Sequence, residues 1–412
     1  MVSSTKTNTS DISHVEQKLS VQCRNFAEDS IAIRSLDWDR SRFDIEFGLR
    51  NGTTYNSFII KGKKIAVIDT SHSKFESLWL DNLIQQVNPK EISYLISSHT
   101  EPDHSGLISD LLDLNPEITI VGSKIALKFI EDQIHRPFKR LEVKSGEFLD
   151  LGTNSESGIN HNVEFISAPN LHWPDTIFSF DHGTKVLYTC DAFGLHYCSN
   201  DLFDSNQKEI FKDFRFYYDC LMGPNARSVI QAIKKIDKLP SVNSIAVGHG
   251  PILQNHVEFW KNKYSEWSNN KNKGNEYVAV CYISDYGFCD RLSQALSHGI
   301  GKADAQVQLI DLRSSDQQEL TALITEAKAV VIPTWPINSD VDLQESIGTL
   351  FAALKPKQFT ATYDSFGGND EPIDSLANKL RELKQKEALS PLRVKESPNP
   401  IIYQRFEEAG TD

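Results

Sequence analysis

From residue 57 onward, short apolar runs alternate with polar turns. They read SFII (57–60), KIAVIDT (64–70), ISYLISS (92–98), ITIVGS (118–123), VEFISA (163–168), TIFSFD (176–181), KVLYTCD (185–191) and SIAVGHG (244–250). Runs of this length, rich in Val, Ile, Phe and Tyr and bounded by Gly, Asn, Asp and Ser, predict strands. Helical spacing intervenes at SKFESLWLDNLIQQV (73–87) and SKIALKFIEDQI (123–134), so this half predicts two sheets with covering helices. Downstream the order becomes strand, loop, helix, repeated. YVAVCYIS (277–284) precedes DRLSQALSHGI (290–300), then come QVQLIDL (306–312), AVVIPTW (329–335) and QFTATYDS (358–365), with IDSLANKLREL (373–383) last. Near-continuous apolar strands separated by helices predict a parallel sheet covered on both faces.

Between the halves, NKYSEWSNNKNKGNEY (262–277) is rich in Asn, Lys, Ser and Gly, the composition of an interdomain linker. The expected division is a polar N-terminal tail over 1–30, one domain over 31–265, a second over 275–400 and a C-terminal linker over 401–412. The closing YQRFEEAGTD (403–412) is polar and acidic and predicts neither strand nor helix.

The 412 residues suffice for two sizeable cores. Hydrophobic residues make up 39% and charged residues 24%, ordinary for a globular protein. The formal charge of −13 and the lack of a basic stripe argue against nucleic acid. No apolar run approaches the roughly 20 residues that span a bilayer, and the N-terminus lacks the apolar core of a secretion signal. Six cysteines, Cys23, Cys190, Cys198, Cys220, Cys281 and Cys289, form no CxxC pair. Reduced thiols and a cytoplasmic location fit this better than a disulfide framework, and the pattern excludes a rubredoxin-type or ferredoxin-type iron centre.

Chemistry concentrates at strand ends. SSHTEPDHSG (97–106) holds His99, Glu101, Asp103 and His104 within six positions; His172, Asp191 and His249 follow in APNLHWPDT, LYTCDAFG and AVGHGP. A single such histidine is ordinarily a structural or surface residue, and His14, His135, His256 and His298 are read that way. As a set, four imidazoles and three carboxylates on one rim read as a metal site.

The spacing resembles the metallo-β-lactamase superfamily, whose HxHxDH motif is followed by a His, a bridging Asp and a last His. Here Glu101 stands where the hydrolases carry a second His; the carboxylate adds charge and a hard oxygen donor, which favours iron over zinc. HxExDH resembles the flavodiiron proteins, as do GTTYNSFII (52–60) and the order of the second domain. The resemblance implies an N-terminal metallo-β-lactamase-like αββα sandwich followed by a flavodoxin-like, doubly wound parallel sheet. It further implies two iron ions, one held by His99, Glu101 and His172, the other by Asp103, His104 and His249, with Asp191 between them.

The same resemblance implies FMN in the second domain, held by three loops beyond the strand ends. Their residues are Ser284, Asp285, Tyr286, Gly287, Phe288 and Cys289; Thr334, Trp335, Pro336, Ile337 and Asn338; and Ser365, Phe366, Gly367 and Gly368. A strand-to-helix turn suits a phosphate, although Cys289 replaces a hydroxyl donor and Asp290 adds a negative charge. The implied activity is reduction of dioxygen to water, with nitric oxide reduction to nitrous oxide as the alternative. The chain looks most like the cyanobacterial and photosynthetic branch, in which a C-terminal flavin reductase module, absent here, takes electrons from NAD(P)H or ferredoxin. A head-to-tail homodimer is expected, or a hetero-oligomer with a paralogue. Rival readings are a zinc hydrolase, against which Glu101 and the second domain both count, and a non-enzymatic subunit with a vestigial site, against which the complete ligand set counts.

Overall fold

The computed structural model describes residues 19–43, 47–272, 276–283, 286–303, 305–313, 315, 317–336, 338–367 and 372–412. The first strands are β1 (Leu19–Ala27), β2 (Ser30–Asp37), the short hairpin β3 (Arg42–Phe43) and β4 (Phe47–Gly48), then β5 (Thr53–Lys61), β6 (Ile65–Ile68), β7 (Ile92–Ile96), β8 (Thr119–Gly122) and β9 (Lys139–Glu142). Apart from the hairpin, they form one seven-stranded sheet in the order β1-β2-β5-β6-β7-β8-β9. A five-stranded sheet follows in chain order: β10 (Phe148–Thr153), β11 (Asn160–Ser167), β12 (Ile177–Asp181), β13 (Val186–Cys190) and β14 (Ser244–Val247).

Side chains from the inner faces of both sheets, among them Phe26, Phe58, Ile96, Phe165, Tyr188 and Ala246, form one buried cluster. Helices cover the two outer faces. Helix α1 (Glu76–Gln86), with the one-turn α2 (Pro102–Ser105), then α3 (Ile108–Leu114) and α4 (Lys124–Ile134), follows strands of the first sheet. Trp79, Leu83, Leu111 and Ile130 from these helices pack on Ile59 and Leu95. Helices α5 (Gln207–Tyr217), α6 (Ala226–Ile236) and α7 (Val257–Asn272) belong to the second sheet, where Phe214, Ile233, Trp260 and Tyr264 pack on Phe178, Phe180 and Leu187. The result is the expected αββα sandwich.

In the second half, β15 (Tyr277–Tyr282), α8 (Cys289–Lys302), β16 (Gln306–Asp311), α9 (Gln317–Glu326), β17 (Ala329–Pro333), α10 (Val341–Ala353), β18 (Phe359–Tyr363), α11 (Ile373–Glu382) and β19 (Lys386–Glu387) alternate. Every pairing among these strands is parallel and their order is β16-β15-β17-β18-β19. That is the doubly wound order whose crevice lies where the strand sequence reverses, between β15 and β17. This parallel sheet meets the first half of the chain at two places: on β16 the Leu309 carbonyl accepts the Asn170 side-chain amide at 3.2 Å, and at the start of β15 Arg227 stacks 3.7 Å from the centroid of Tyr277.

Three expectations about connections give way. The polar tail to residue 30 is cut short by β1, which pairs with β2 and turns Leu19, Val21 and Cys23 toward the helix-covered core. The linker over 262–277 is largely helix: α7 runs to Asn272 because Trp260, Tyr264 and Trp267, spaced four and three residues apart, bury one stripe. The C-terminal linker over 401–412 is instead helix α12 (Pro400–Thr411). Its start carries a capping signature, with the Asn399 side chain accepting from the amides of Ile401 and Ile402 and Pro400 at the first helical position.

Helix α12 docks on α8 through glycines. A Cβ on Gly299 would lie 1.8 Å from the carbonyl oxygen of Glu407, and one on Gly410 would lie 2.3 Å from that of Leu296. Phe406 is buried beside this crossing. Gly299→Ala is therefore expected to destabilise the second half by about 1–3 kcal/mol, the usual cost of overpacking a close contact. Urea unfolding followed by circular dichroism measures it, and an unchanged midpoint would show that α12 does not dock here.

Candidate metal centre

Each of the seven candidate residues follows a strand or sits in the loop after one. Strand β7 ends three residues before His99; Glu101 immediately precedes α2, which carries Asp103 and His104 on a turn started by Pro102. His172 lies in the loop from β11 to β12, Asp191 follows β13 directly, and His249 comes two residues after β14. The two sheets thus bring together residues up to 150 positions apart (249 − 99).

The donors fall into two groups that share one carboxylate. His172 Nε2 lies 3.0 Å from Glu101 Oε2 and 3.2 Å from Asp191 Oδ2, and His99 Nε2 lies 3.2 Å and 3.4 Å from the same two oxygens. On the other side, Asp191 Oδ1 lies 3.0 Å from His104 Nε2 and 3.2 Å from His249 Nε2. Asp103 completes that group, 3.5 Å from His104 and 3.4 Å from His249. Asp191 therefore presents one oxygen to each pair of imidazoles. The separations are those of atoms bonded to a common cation at about 2 Å.

Burial makes the charge acute. His99, Asp103, His104, Asp191 and His249 are all buried, while Glu101 and His172 keep partial exposure. Both oxygens of Asp103 and Oδ2 of Asp191 accept no hydrogen bond among the described residues, a costly state for buried carboxylates without a cation. Burial alone would lower the pKa of His172, but Glu101 and Asp191 outweigh it and raise the value to about 10. His249 is likewise lowered by burial and raised further by Asp103 and Asp191, to about 10. The carboxyl of Asp191, raised by burial, is pulled well below its usual range by His104, His172 and His249. Buried carboxylates set against four imidazoles make a donor set that fits a cation.

Residues outside the sequence-derived set fix the ring orientations. Asp175 Oδ1 lies 3.1 Å from His99 Nδ1, while its Oδ2 accepts from the Thr100 amide at 2.8 Å and the Thr100 hydroxyl at 2.6 Å. His249 Nδ1 lies 2.6 Å from the Thr54 carbonyl. Asp69 Oδ1 accepts the Ser98 amide at 2.7 Å. Gly248 leaves space for His104, since a Cβ there would stand 2.7 Å from His104 Cε1. Asp175 lies three residues after His172 in HWPDT, two residues ahead of β12. Its pairing with His99 is set by tertiary approach, which no spacing reveals.

The flavin loops meet at the carboxyl ends of β15, β17 and β18, with Ser284, Asp285, Ile337 and Gly368 outside the described residues. Among the described residues, the groups at the crevice are bonded to one another within the loops. The amide of Tyr286 donates to Ile283, that of Cys289 to Tyr286, and that of Phe288 to the Ser365 carbonyl at 3.0 Å. Gly287 has φ +57° and approaches Ser365 and Gly367 too closely for any side chain, and the Tyr286 ring covers Gly367. Thr334 is zipped to Ser365, its hydroxyl accepting the Ser365 amide at 2.9 Å. Trp335 packs edge-on against Phe351 and Phe366 lies against Phe288, while Pro336 is half-buried and Asn338 exposed. The Cys289 sulfur is wholly buried, 3.2 Å from the Ile283 amide and 3.2 Å from the Tyr363 hydroxyl. Asp290 is also buried, which pushes its carboxyl up to about 6.

A metallo-β-lactamase-like sandwich with a doubly wound α/β unit, carrying this seven-residue cluster, defines the class of protein, and comparisons place it within that class. Residues 53–250 match the family described as ODP family beta lactamase. The chain is 52% identical over 398 residues to a putative diflavin flavoprotein A 3 of Nostoc sp. PCC 7120, covering 96% of this chain and 68% of the relative. It is 49% identical over 397 residues to diflavin flavoprotein A 1 of Synechocystis sp. PCC 6803, with the same coverage of both. Among solved structures it is similar to a metal-soaked flavodiiron core, Flv1, from Synechocystis sp. PCC6803, with 30% identity, TM-score 0.71 and coverage of 95% and 97%. The chain belongs to the flavodiiron proteins, the A-type flavoproteins, a family of oxidoreductases. Among the described residues no helix is long and apolar enough to cross a membrane.

Two outcomes are expected from this geometry. Asp175→Asn should weaken metal uptake about 10- to 100-fold, the usual effect of losing the carboxylate behind a ligating imidazole; competition against a chelator measures it, and unchanged affinity would leave Asp175 a purely structural residue. FMN mixed with the purified chain should bind at a rate that levels off as FMN rises, because the loop bonds must open first. A rate that climbs linearly in stopped-flow fluorescence would mean the crevice stands open.

Proposed function

We propose that this chain is a cytoplasmic diiron oxidoreductase that reduces dioxygen to water. The observation that supports it most is the placement of Asp191, one oxygen toward His99, His172 and Glu101 and the other toward His104, His249 and Asp103. In this reading the first group holds one iron, the second group holds the other, and Asp191 joins them. Glu101 in place of a third imidazole on its side supports iron rather than zinc. The bound pair would supply reversible one-electron changes at two adjacent ions, suited to a reaction that consumes four electrons and four protons per dioxygen.

The surrounding residues determine access. Glu101 and His172, together with Trp173, line a cleft of about 790 Å³ whose opposite wall includes Ser297, Lys302 and Leu309. Substrate enters on that side, where the two partly exposed ligands are. The opposite side is sealed: Tyr217 packs 6.1 Å from His249 and 4.9 Å from His196 between ring centroids, and all three are buried. Burial holds the Tyr217 phenol well above its usual pKa, so it keeps its proton on Oη beside the site at neutral pH. Dioxygen is taken as substrate because the chain sides with the cyanobacterial diflavin relatives. Electrons come from NAD(P)H or ferredoxin through a flavin-bearing donor.

Asp191→Ala should abolish both metals together, read as iron per chain by elemental analysis after anaerobic loading; loss of one iron with retention of the other would contradict a shared ligand. The iron-loaded chain, reduced chemically, should consume dioxygen without accumulating peroxide. Stoichiometric zinc despite ample iron, or turnover of nitric oxide with none of dioxygen, would overturn the assignment.

A further inference from the structure

The loop that carries His172 is held from two sides, and one of them is the other half of the chain. Between β11 and β12, residues 168–176 close on themselves: the Ala168 amide donates to Thr176 at 3.1 Å and the Asn170 amide to Trp173 at 2.8 Å. Toward His99 the loop is fixed by Asp175, whose backbone carbonyl also accepts the Ser123 hydroxyl at 2.9 Å. Toward the cleft, two residues before His172, the buried Asn170 side chain reaches across and donates to the Leu309 carbonyl on β16 at 3.2 Å. β16 is an edge strand, and its Leu309 carbonyl accepts the Gln308 side-chain amide at 3.2 Å as well as that of Asn170. The other amide atom of Asn170, Oδ1, accepts nothing among the described residues. Asn170 also has φ +66°, a conformation that Asn, Asp and Gly adopt more readily than other residues.

We propose that Asn170 is a positioning residue through which the second domain's edge strand holds His172 in the metal site. It rests on the diiron reading and adds a structural role for the second domain that is independent of any flavin. Ligands must be held within about half an ångström of productive geometry by surrounding bonds. His172 is the partly exposed imidazole of its group, so its loop depends most on an outside brace. The other group, Asp103, His104 and His249, has no part in this loop. Loss of the brace therefore acts on one metal position of two.

Asn170→Gly and Asn170→Asp separate the bond from the backbone, since both tolerate positive φ and neither can donate to Leu309. Metal-free full-length chain is titrated anaerobically with Co²⁺ and followed by its visible absorption, with His172→Ala identifying the step that belongs to the His172 group. In both variants that step should weaken about 10- to 100-fold while the other step stays within about twofold, with the thermal midpoint little changed. Wild-type affinity at the His172 step in either variant would overturn the proposal, as would equal weakening of both steps. Wild-type chain that takes up no Co²⁺ would overturn the diiron reading itself and this inference with it.

Discussion

The Asp191 carboxylate sits wholly buried at the end of β13, surrounded by four imidazoles and two further carboxylates. A lone carboxylate there would be prohibitively desolvated. Its stability depends on positive charge at fixed distances on both of its oxygens, and much of the sandwich can be understood as the framework that supplies those distances. The seven-stranded sheet delivers the HxExDH loop after β7; the five-stranded sheet delivers Asp191 and His249 from the neighbouring parallel strands β13 and β14. Neither sheet holds the set alone. The apolar cluster between them fixes the site as surely as it fixes the core.

Around this centre the environment is graded. The His249 imidazole is enclosed by Tyr55, Tyr217 and His196, whereas Glu101 and His172 face the cleft between the two halves of the chain. Closed walls and one open side suit a centre that must admit a small molecule while keeping bulk water from most of its charge. The second half does more than stand beside this opening, because β16 supplies part of the far wall and a carbonyl that meets the His172 loop.

How much of this was legible differs by residue. The seven clustered positions could be picked out because each follows an apolar strand, and the strands themselves were marked by β-branched runs. Asp175 and Thr54 were not, since an acid or a backbone carbonyl behind an imidazole leaves no periodic trace. The polar composition of helix α12 hides it in the sequence, although the Asn399-Pro400 start and the apolar positions Ile402, Phe406 and Ala409 mark it. The extent of α7 is obscured for a similar reason: Asn and Lys along it mask the stripe of Trp260, Tyr264 and Trp267.

By itself, the sequence determined local quantities: strand and helix periods, the alternation that makes a parallel sheet, and a donor set whose Glu101 departs from the zinc pattern. These depend on residues a few positions apart, and local backbone preference and burial are enough to express them. Only the tertiary structure decided which oxygen of Asp191 faces which imidazoles, that Asn170 meets β16, and that the amides of Phe288 and Cys289 are spent within their own crevice. Those outcomes depend on the packing of surfaces far apart in the chain, where shifts of an ångström decide whether a polar atom meets a ligand or a neighbour.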